Sequence, residues 1–254
     1  MASLRKDQIC NLLKGIETGD VKSVTVVNED KYIQHNPQTH EGSEGLAALF
    51  KRLSITNPSV NIVRVFEDGD YVFAHTEYNF SNSNIGFEIF RFEDGLAVEH
   101  WDNIQPRLGP NPSGHTMVDG PNEATDIERT EDNRGIVKSF VDNVLIDRQF
   151  EKLGNYICDE NYTQHDPQIA DGLPALRLSL ESMNDNISSL EYSKNHRVLA
   201  EGCFVLSVSE GFRIGVHSAF YDLFRVSKSR LVEHWNTIEA IPPRNEWKND
   251  NGKF

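Results

Sequence analysis

One motif occurs twice in this chain of 254 residues, as VEHWDNI at 98–104 and as VEHWNTI at 232–238. Two further pairs match in the same order: YIQHNPQ at 32–38 with YTQHDPQ at 162–168, and FEIFR at 87–91 with YDLFR at 221–225. The offset is 130 residues for the first histidines (165 − 35) and 134 for the second (234 − 100). Such long spacing excludes a solenoid with repeats of roughly 20–50 residues. It predicts two homologous domains.

Charge and composition narrow the class of protein. Lys and Arg number 25 against 39 Asp and Glu, a formal net charge of −14, and no basic run offers a footprint for phosphates. Nucleic acid and membrane are therefore not expected as partners. The polar N-terminus and the absence of any run of ~18 apolar residues favour a cytoplasmic protein. Cys10, Cys158 and Cys203 have no counterparts between the copies and are interpreted as reduced thiols.

The periodicity of apolar residues predicts helices followed by strands in each copy. Helical spacing covers residues 6–18 and 43–53, with Ser43 as a candidate N-cap, and again residues 127–146 and 173–183. Asp-Gly turns at 68–69 and 94–95 punctuate strand-like segments and favour an antiparallel meander. This order is typical of an α+β fold.

The predicted domain boundaries follow from composition. Residues 106–125 hold four prolines and three glycines, which favours an exposed linker over packed structure. We therefore predict a first domain at 1–106, a linker at 107–125, a second domain at 126–242 and a polar C-terminal tail at 243–254.

Strand alternation identifies the candidate chemistry. His100 and Asp102 share one face of their strand, whereas Glu99, Trp101 and Asn103 share the other. On the preceding predicted strand, Glu88 lies among phenylalanines, where desolvation raises a carboxyl pKa and suits it to acid–base work.

Structural interpretations compete with the catalytic ones. Glu88 has Arg64 or Arg91 as a possible ion-pair partner, His100 and Asp102 have each other, and His75 reads equally as an exposed strand residue. The 32–38 motif is also compatible with a polar loop whose side chains hydrogen-bond its own backbone groups. Trp101 and Trp235 are interpreted as packing or interface residues. A metal site is not expected, because His35, His75 and His100 show no metal-ligand spacing.

These motifs resemble the SnoaL-like polyketide cyclase family, within the nuclear-transport-factor-two-like superfamily. The resemblance rests on residues 32–37, 69–75 and 87–102 and covers nearly all of 5–106, and more loosely 128–242. It implies cone-shaped domains in which helices cover a strongly curved antiparallel sheet around an apolar pocket. Because family members dimerise through the sheet, the two copies are expected to form an intramolecular pseudo-dimer, with further homo-oligomerisation left open.

The resemblance also implies the site residues. In the first copy they are the catalytic candidates Glu88, Asp102, His75, His100 and His35, with Tyr32, Gln34, Gln38 and Phe90 as ligand-binding residues. In the second copy the ligand-binding candidates are Tyr162, Gln164, His165, Gln168, Asp222 and His234. The second copy departs from the pattern where Val208 or Ser209 aligns with His75 and Asn236 replaces Asp102, which favours the first copy as the active one.

Two functions are compatible with these residues. One is a cofactor-free cyclase or isomerase in which a carboxylate and a histidine move a proton on an apolar, carbonyl-containing substrate. The other is a non-catalytic module that binds a small ligand. An arginine paired with Glu88 would favour the second.

Overall fold

The computed structural model describes residues 4–157, 162–182 and 190–254. The chain divides into two compact units, residues 1–106 with 241–254 and residues 107–240. The predicted positions Met183 and Cys158 lie outside the described residues. Among the helices in the described ranges, none is both long enough and apolar enough to span a membrane.

The first unit places its helices before its long strands. Helices α1 (Leu4–Thr18) and α2 (Gly42–Ser54) flank a 3-10 helix, Val21–Val26, and a two-residue strand β1, Ile33–Gln34. Four long strands follow: β2 (Ser59–Asp68), β3 (Tyr71–Asn79), β4 (Ser83–Glu93) and β5 (Leu96–Pro106). Their order in the sheet is β1-β5-β4-β3-β2, with β1 parallel to β5 and the other pairs antiparallel.

The second unit repeats this architecture. Its elements are a 3-10 turn (Ile127–Arg129), α3 (Thr130–Phe140) continued by a π-helix (Val141–Ile146), a 3-10 turn (Phe150–Lys152), α4 (Leu153–Tyr156), β6 (Thr163–Gln164), α5 (Leu173–Ser182), β7 (Leu190–Glu201), β8 (Phe204–Arg213), β9 (Val216–Ser227) and β10 (Arg230–Ala240). A final 3-10 turn, Arg244–Glu246, lies in the first unit. The strand order β6-β10-β9-β8-β7 matches that of the first sheet element for element. The predicted α+β class and the tandem duplication are therefore confirmed.

Turn and cap chemistry explain local details. Asp94 and Gly95 both have positive φ (52° and 83°), as a tight hairpin with the native strand twist requires. Ser43, expected as an N-cap, instead lies within the first turn of α2, and Glu41 occupies the cap position without a side-chain hydrogen bond.

Each unit has its own apolar core between helices and sheet. In the first, the buried face of α1 (Ile9, Leu12, Leu13, Ile16) packs in one cluster with Phe50 of α2 and with Val72, Phe90 and Phe92 of the sheet. In the second, Val137 and Phe140 of α3 pack with Phe220 and Phe224. The helical spacing in the sequence is therefore the pattern that covers one sheet face.

The segments predicted as a linker and a tail are both packed. Residues 107–125 belong to the second unit, where Asn111 is buried and donates through Nδ2 to the carbonyls of Gln164 and Ile169 (2.6 and 2.9 Å). Residues 241–254 belong to the first unit, where Asn249 donates in the same way to the carbonyls of Asn36 and Thr39 (2.7 and 3.0 Å). Composition missed this because polar side chains that satisfy loop carbonyls look like solvated ones in sequence.

Candidate active site

A cavity of about 180 Å³ lies in the first unit between the helices and the sheet. Seven apolar side chains of α1 and α2, including Leu12, Leu46 and Phe50, line it. The sheet contributes Tyr78, Glu88, Phe90, His100, Asp102 and Ile104, and the loop after β1 contributes Asn36, Gln38 and Thr39. The exposed residues Gln38 and Arg52 lie at its opening. Polar groups therefore converge on one wall of an otherwise apolar space.

Glu88 and His100 form a buried acid–base pair. His100 Nε2 lies 2.7 Å from Glu88 Oε2, and the Tyr78 hydroxyl donates to Glu88 Oε1 at 2.7 Å. Both side chains are almost fully buried, and the His100 ring stacks on Phe90 at 4.4 Å. Desolvation by burial raises the pKa of Glu88 even though hydrogen bonds from His100 and Tyr78 oppose the shift.

Gln34 determines which tautomer His100 adopts. The backbone N–H of Asn36 donates to Gln34 Oε1 at 2.8 Å, and His100 Nδ1 lies 2.9 Å from the same oxygen. Because this oxygen only accepts, His100 Nδ1 must carry a proton. The contact between His100 Nε2 and Glu88 then requires one further proton, held either as imidazolium with carboxylate or as neutral imidazole with carboxylic acid. The pair is thus poised to exchange a proton with a ligand.

Asp102 has a different environment from Glu88, although both lie on the same face of the sheet. Asn36 Nδ2 donates to its Oδ2 at 2.6 Å, and the buried ammonium of Lys253 lies 3.3 Å from its Oδ1. Burial raises the pKa of Asp102, but the charges of Lys253 and His100, with these hydrogen bonds, outweigh burial and lower it. One carboxyl is therefore held ionised while its neighbour is shifted toward the protonated form, a separation typical of divided acid–base roles.

His35 does not line the cavity, contrary to the prediction. Its Nδ1 donates to the Gly252 carbonyl and its Nε2 contacts Glu99 Oε1, both at 2.9 Å, while its ring stacks on Trp101 at 4.7 Å. Arg91 Nε donates to the other oxygen of Glu99 at 2.7 Å. Because Gln34 shares a face with His100, strand alternation turns His35 to the opposite face. Its role here is to hold the C-terminal segment.

His75 is also placed away from the cavity. In the β3–β4 register Ala74 lies opposite Glu88, so His75 lies opposite Phe87 and on the other face. It stacks on Phe87 at 4.4 Å, and Arg64 donates to its Nδ1 at 2.8 Å. The prediction of His75 as a catalytic residue was therefore wrong in position, because alternation within one strand cannot show which face of the next strand it matches.

The structure also decides between the alternatives left open by the sequence. Arg64 and Arg91 bond His75 and Glu99, whereas Glu88 bonds His100 and Tyr78. Of the predicted ligand-binding residues, Gln38 and Phe90 line the cavity and Gln34 orients His100. Tyr32 is buried, and in the described part of the chain its hydroxyl has no hydrogen-bond partner. Its burial, with Glu88 and Asp102 nearby, raises its pKa well above the ordinary value.

The second unit builds the same acid–histidine pair. His234 Nε2 lies 3.0 Å from Asp222 Oδ1, and His234 Nδ1 lies 2.9 Å from Gln164 Oε1, which also accepts two backbone N–H groups. A tyrosine again donates to the carboxylate, but it is Tyr192 on β7, the counterpart of β2, whereas Tyr78 is on β3. The same contact is therefore supplied from a different strand.

The expected loss of a carboxylate in the second copy is wrong. Asn236 does replace Asp102, but Asp166 replaces Asn36, and Asn236 Nδ2 donates to Asp166 Oδ2 at 3.0 Å. The Asn–Asp pair is thus retained with its two members exchanged. His165 repeats the role of His35, with Nε2 at 2.9 Å from Glu233 and its ring stacked on Trp235 at 4.6 Å.

The cavities of the two units differ. The second unit has a cavity of about 550 Å³ lined by Asp166, Gln168, Leu178 and Arg213, among others. Among the described residues that line it, Asp222 and His234 do not occur, whereas their counterparts in the first unit face the smaller cavity there. Tyr162 and Gln164 are buried and are also not among its lining residues. The acid–histidine pair is therefore joined to a cavity in the first unit.

Sequence reasoning missed Tyr78, Asn36 and Lys253. Tyr78 shares the face of Ala74, and that face is recognisable only once the register with Glu88 is known. Asn36 lies inside a repeated motif that gives no sign of its role. Lys253 is 151 residues from Asp102, and no local pattern signals that contact.

The fold and the site define an α+β pocket domain with a buried acid–histidine pair. Residues 11–100 match the family model of the SnoaL-like domain, which confirms the predicted resemblance in the first unit. No curated protein matches the sequence.

Three solved structures that are similar to this chain each cover less than half of it. TsrD from Streptomyces laurentii is 21% identical, with 41% of this chain and 92% of TsrD covered and a TM-score of 0.36. IdmH, a putative polyketide cyclase from Streptomyces antibioticus, is 16% identical over 41% of this chain and 93% of IdmH, with a TM-score of 0.36. A putative ketosteroid isomerase from Kribbella flavida is 14% identical over 45% of this chain and 84% of its own, with a TM-score of 0.39.

Proposed function

We propose that the first unit is a cofactor-free cyclase or isomerase that moves a proton on a small apolar molecule next to its carbonyl group. The observation that carries the proposal is the Glu88–His100 pair, buried and joined by a 2.7 Å contact on the wall of an apolar cavity. Perturbed acid–base groups in a cavity are typical of catalytic sites.

The number of protons that the Glu88–His100 pair holds suggests how it acts. At rest it holds one proton on the Nε2–Oε2 contact, in addition to the proton on His100 Nδ1. Removing a proton from the substrate converts the pair to imidazolium with carboxylic acid, and returning that proton at another atom restores it. The raised pKa of Glu88 supports the acid form. Asp102, whose pKa is lowered, stays ionised beside it and helps to stabilise the imidazolium.

The cavity size indicates the substrate class. About 180 Å³ is below the ~300 Å³ at which pockets for drug-sized ligands begin. The cavity as it stands suits a compact substrate of one or two rings, and a larger polyketide would require α1 or α2 to move. Polar parts of the substrate would face Gln38 and Arg52 at the opening.

The alternative, a non-catalytic binding module, has one observation in its favour. Both oxygens of Glu88 already accept or share hydrogen bonds, from Tyr78 and His100, and both oxygens of Asp102 contact Asn36 and Lys253. In that case the polar wall only orients a ligand.

Hydrogen–deuterium exchange at carbon distinguishes the two functions. Aromatic polyketides, ketosteroids and small keto acids are incubated in D2O with the wild-type chain, and exchange next to the carbonyl is followed by proton NMR. Binding is measured in parallel by thermal shift. Catalysis predicts exchange of at least one binder, reduced about 10²- to 10⁴-fold by Glu88→Gln while binding persists.

Glu93→Gln is the matched control, because Glu93 lies on the same strand but is exposed and pairs with Lys31. Exchange that persists in Glu88→Gln would contradict the assignment of Glu88. Ligands that bind all variants alike and never exchange would leave only the binding module.

A further inference from the structure

A cluster of metal-ligating side chains lies in the second unit. His115, Asp119 and His165 each offer one donor atom, and these atoms lie within 4.8 Å of one another. Asp119 Oδ1 is 2.9 Å from His165 Nδ1, and Asp119 Oδ2 is 3.6 Å from His115 Nδ1. We infer that these three residues bind a divalent transition metal, for which Zn²⁺ is the expected ion.

The outer contacts of the two histidines support this inference. His165 Nε2 lies 2.9 Å from Glu233 Oε1, and His115 Nε2 lies 3.1 Å from Asp171 Oδ2. Each imidazole therefore turns one nitrogen to a carboxylate and the other, Nδ1, toward Asp119. Metal-binding histidines almost always donate their second N–H to a carboxylate, carbonyl or water, which fixes the tautomer with its lone pair toward the metal.

The cluster is held by surrounding contacts. Arg225 Nε donates to Glu233 Oε2 at 2.6 Å, so this carboxylate is anchored from its far side. Trp235 Nε1 donates to the Asp119 carbonyl at 3.0 Å, which positions the 115–119 segment. The Thr116 carbonyl, 2.7 Å from His165 Nδ1, is a further oxygen donor at the same place. Binding of a metal ion would then mainly replace the proton on His165 Nδ1 and would not require the segment to refold.

The donor set selects the class of metal. Two imidazoles with one carboxylate suit Zn²⁺, Co²⁺, Ni²⁺ or Cu²⁺, whereas Mg²⁺ and Ca²⁺ prefer oxygen donors throughout. Sequence spacing does not reveal the site, because His165 is distant in sequence from the 115–119 segment, which composition predicts to be a linker.

The first unit provides an internal comparison. His35 has the same carboxylate and arginine support from Glu99 and Arg91, and its Nδ1 likewise lies against a backbone carbonyl, that of Gly252, as His165 Nδ1 lies against that of Thr116. The His–Glu–Arg arrangement is therefore common to both units and structural, and His115 and Asp119 are the additions that make a metal site of it in the second.

Isothermal titration of Zn²⁺ into the tag-free, EDTA-treated full-length chain tests the inference. We expect one saturable site per chain, and a Co²⁺ complex with visible d–d bands that Zn²⁺ displaces. His115→Ala and Asp119→Asn, which change half-exposed or exposed side chains, should each weaken binding at least ~10-fold, and Asp171→Asn ~10- to 100-fold.

The control is His217→Ala, which changes another half-exposed histidine near a carboxylate, Glu210. It should leave Zn²⁺ affinity unchanged. Circular dichroism verifies that every variant is folded. The inference is overturned if the wild-type chain shows no saturable binding at 100-fold molar excess of Zn²⁺, or if binding is the same in His115→Ala and Asp119→Asn as in wild type.

Discussion

Replacing Lys253 with methionine should destabilise the first unit far more than its place near the end of the chain suggests. Lys253 is 3% exposed, and its ammonium faces Asp102, a carboxylate that is 5% exposed, at 3.3 Å. Methionine retains most of the aliphatic stem but leaves Asp102, among the residues that the structure describes, with only Asn36 as a hydrogen-bond donor. Removing one partner of a buried ion pair typically costs about 3–5 kcal/mol, because the remaining charge is buried without compensation.

The effect of Lys253→Met on stability should depend on pH in a definite direction. The folded-state pKa of Asp102 lies below its usual value of 3.8, so the pair contributes stability that is present above that pH and is lost as pH falls through the folded-state pKa. In Lys253→Met, burial is less opposed and this pKa rises. The stability gap between wild type and variant should be largest at neutral pH and should narrow as pH falls from the higher folded-state pKa of the variant to the lower one of the wild type, below which Asp102 is neutral in both proteins.

Hydrogen exchange with mass spectrometry locates the effect as well as its size. The C-terminal segment bonds the 34–41 loop through Asn249, Asn251 and the Gly252 carbonyl. Peptides from 34–41 and 248–254 should therefore exchange faster in Lys253→Met, whereas peptides from 163–172 in the second unit should not change. Lys248→Met, on an exposed residue of the same segment, is the control. A loss below about 1 kcal/mol, as for a surface pair, would refute the reasoning.

Two further predictions concern contacts that occur in equivalent form within each unit. Asn36→Asp should destabilise the first unit by about 3 kcal/mol, because it sets a second carboxylate at the 2.6 Å contact with Asp102. The double variant Asn36→Asp with Asp102→Asn should recover much of this lost stability in urea unfolding, since it reproduces the Asp166–Asn236 arrangement. If the double variant is no better than the single one, the exchange is not compensatory. Tyr78→Phe should lower the stability of the first unit by about 1–3 kcal/mol and raise the pKa of Glu88 further, because the buried Oε1 of Glu88 loses its hydrogen-bond donor. Infrared titration of the carboxyl band measures this pKa, and an unchanged titration would contradict the 2.7 Å hydrogen bond.

The sequence located the core of the candidate site but not its boundary. Alternation along one strand correctly placed His100 and Asp102 on a face opposite Trp101, and the apolar neighbours of Glu88 correctly indicated a desolvated carboxyl. His35 and His75 were assigned to the same site because both are histidines within or near the motifs. Their faces depend on pairing between strands, and a shift by one residue reverses every side chain.

Position-by-position comparison of the copies was misleading for a related reason. The change at position 236 looked like the loss of an acid, although the reverse change at 166 keeps one carboxylate at the same contact. The two positions are neighbours only through the parallel pairing of β6 with β10. A compensating exchange between distant positions is visible only when both sides of the contact are known.

Motif identity, hydrophobic period and turn chemistry are local and repeat along the chain, so they were enough to predict the duplication, the α+β class and the SnoaL-like resemblance of the first unit. Three features became visible only in the folded chain: the histidine that contacts Glu88, the packing of residues 107–125 in the second unit and of 241–254 in the first, and the ion pair of Lys253 with Asp102. The physical reason is that burial and register are properties of strands and segments far apart in sequence, and these properties set both the pKa of a carboxyl and the partner of a charge.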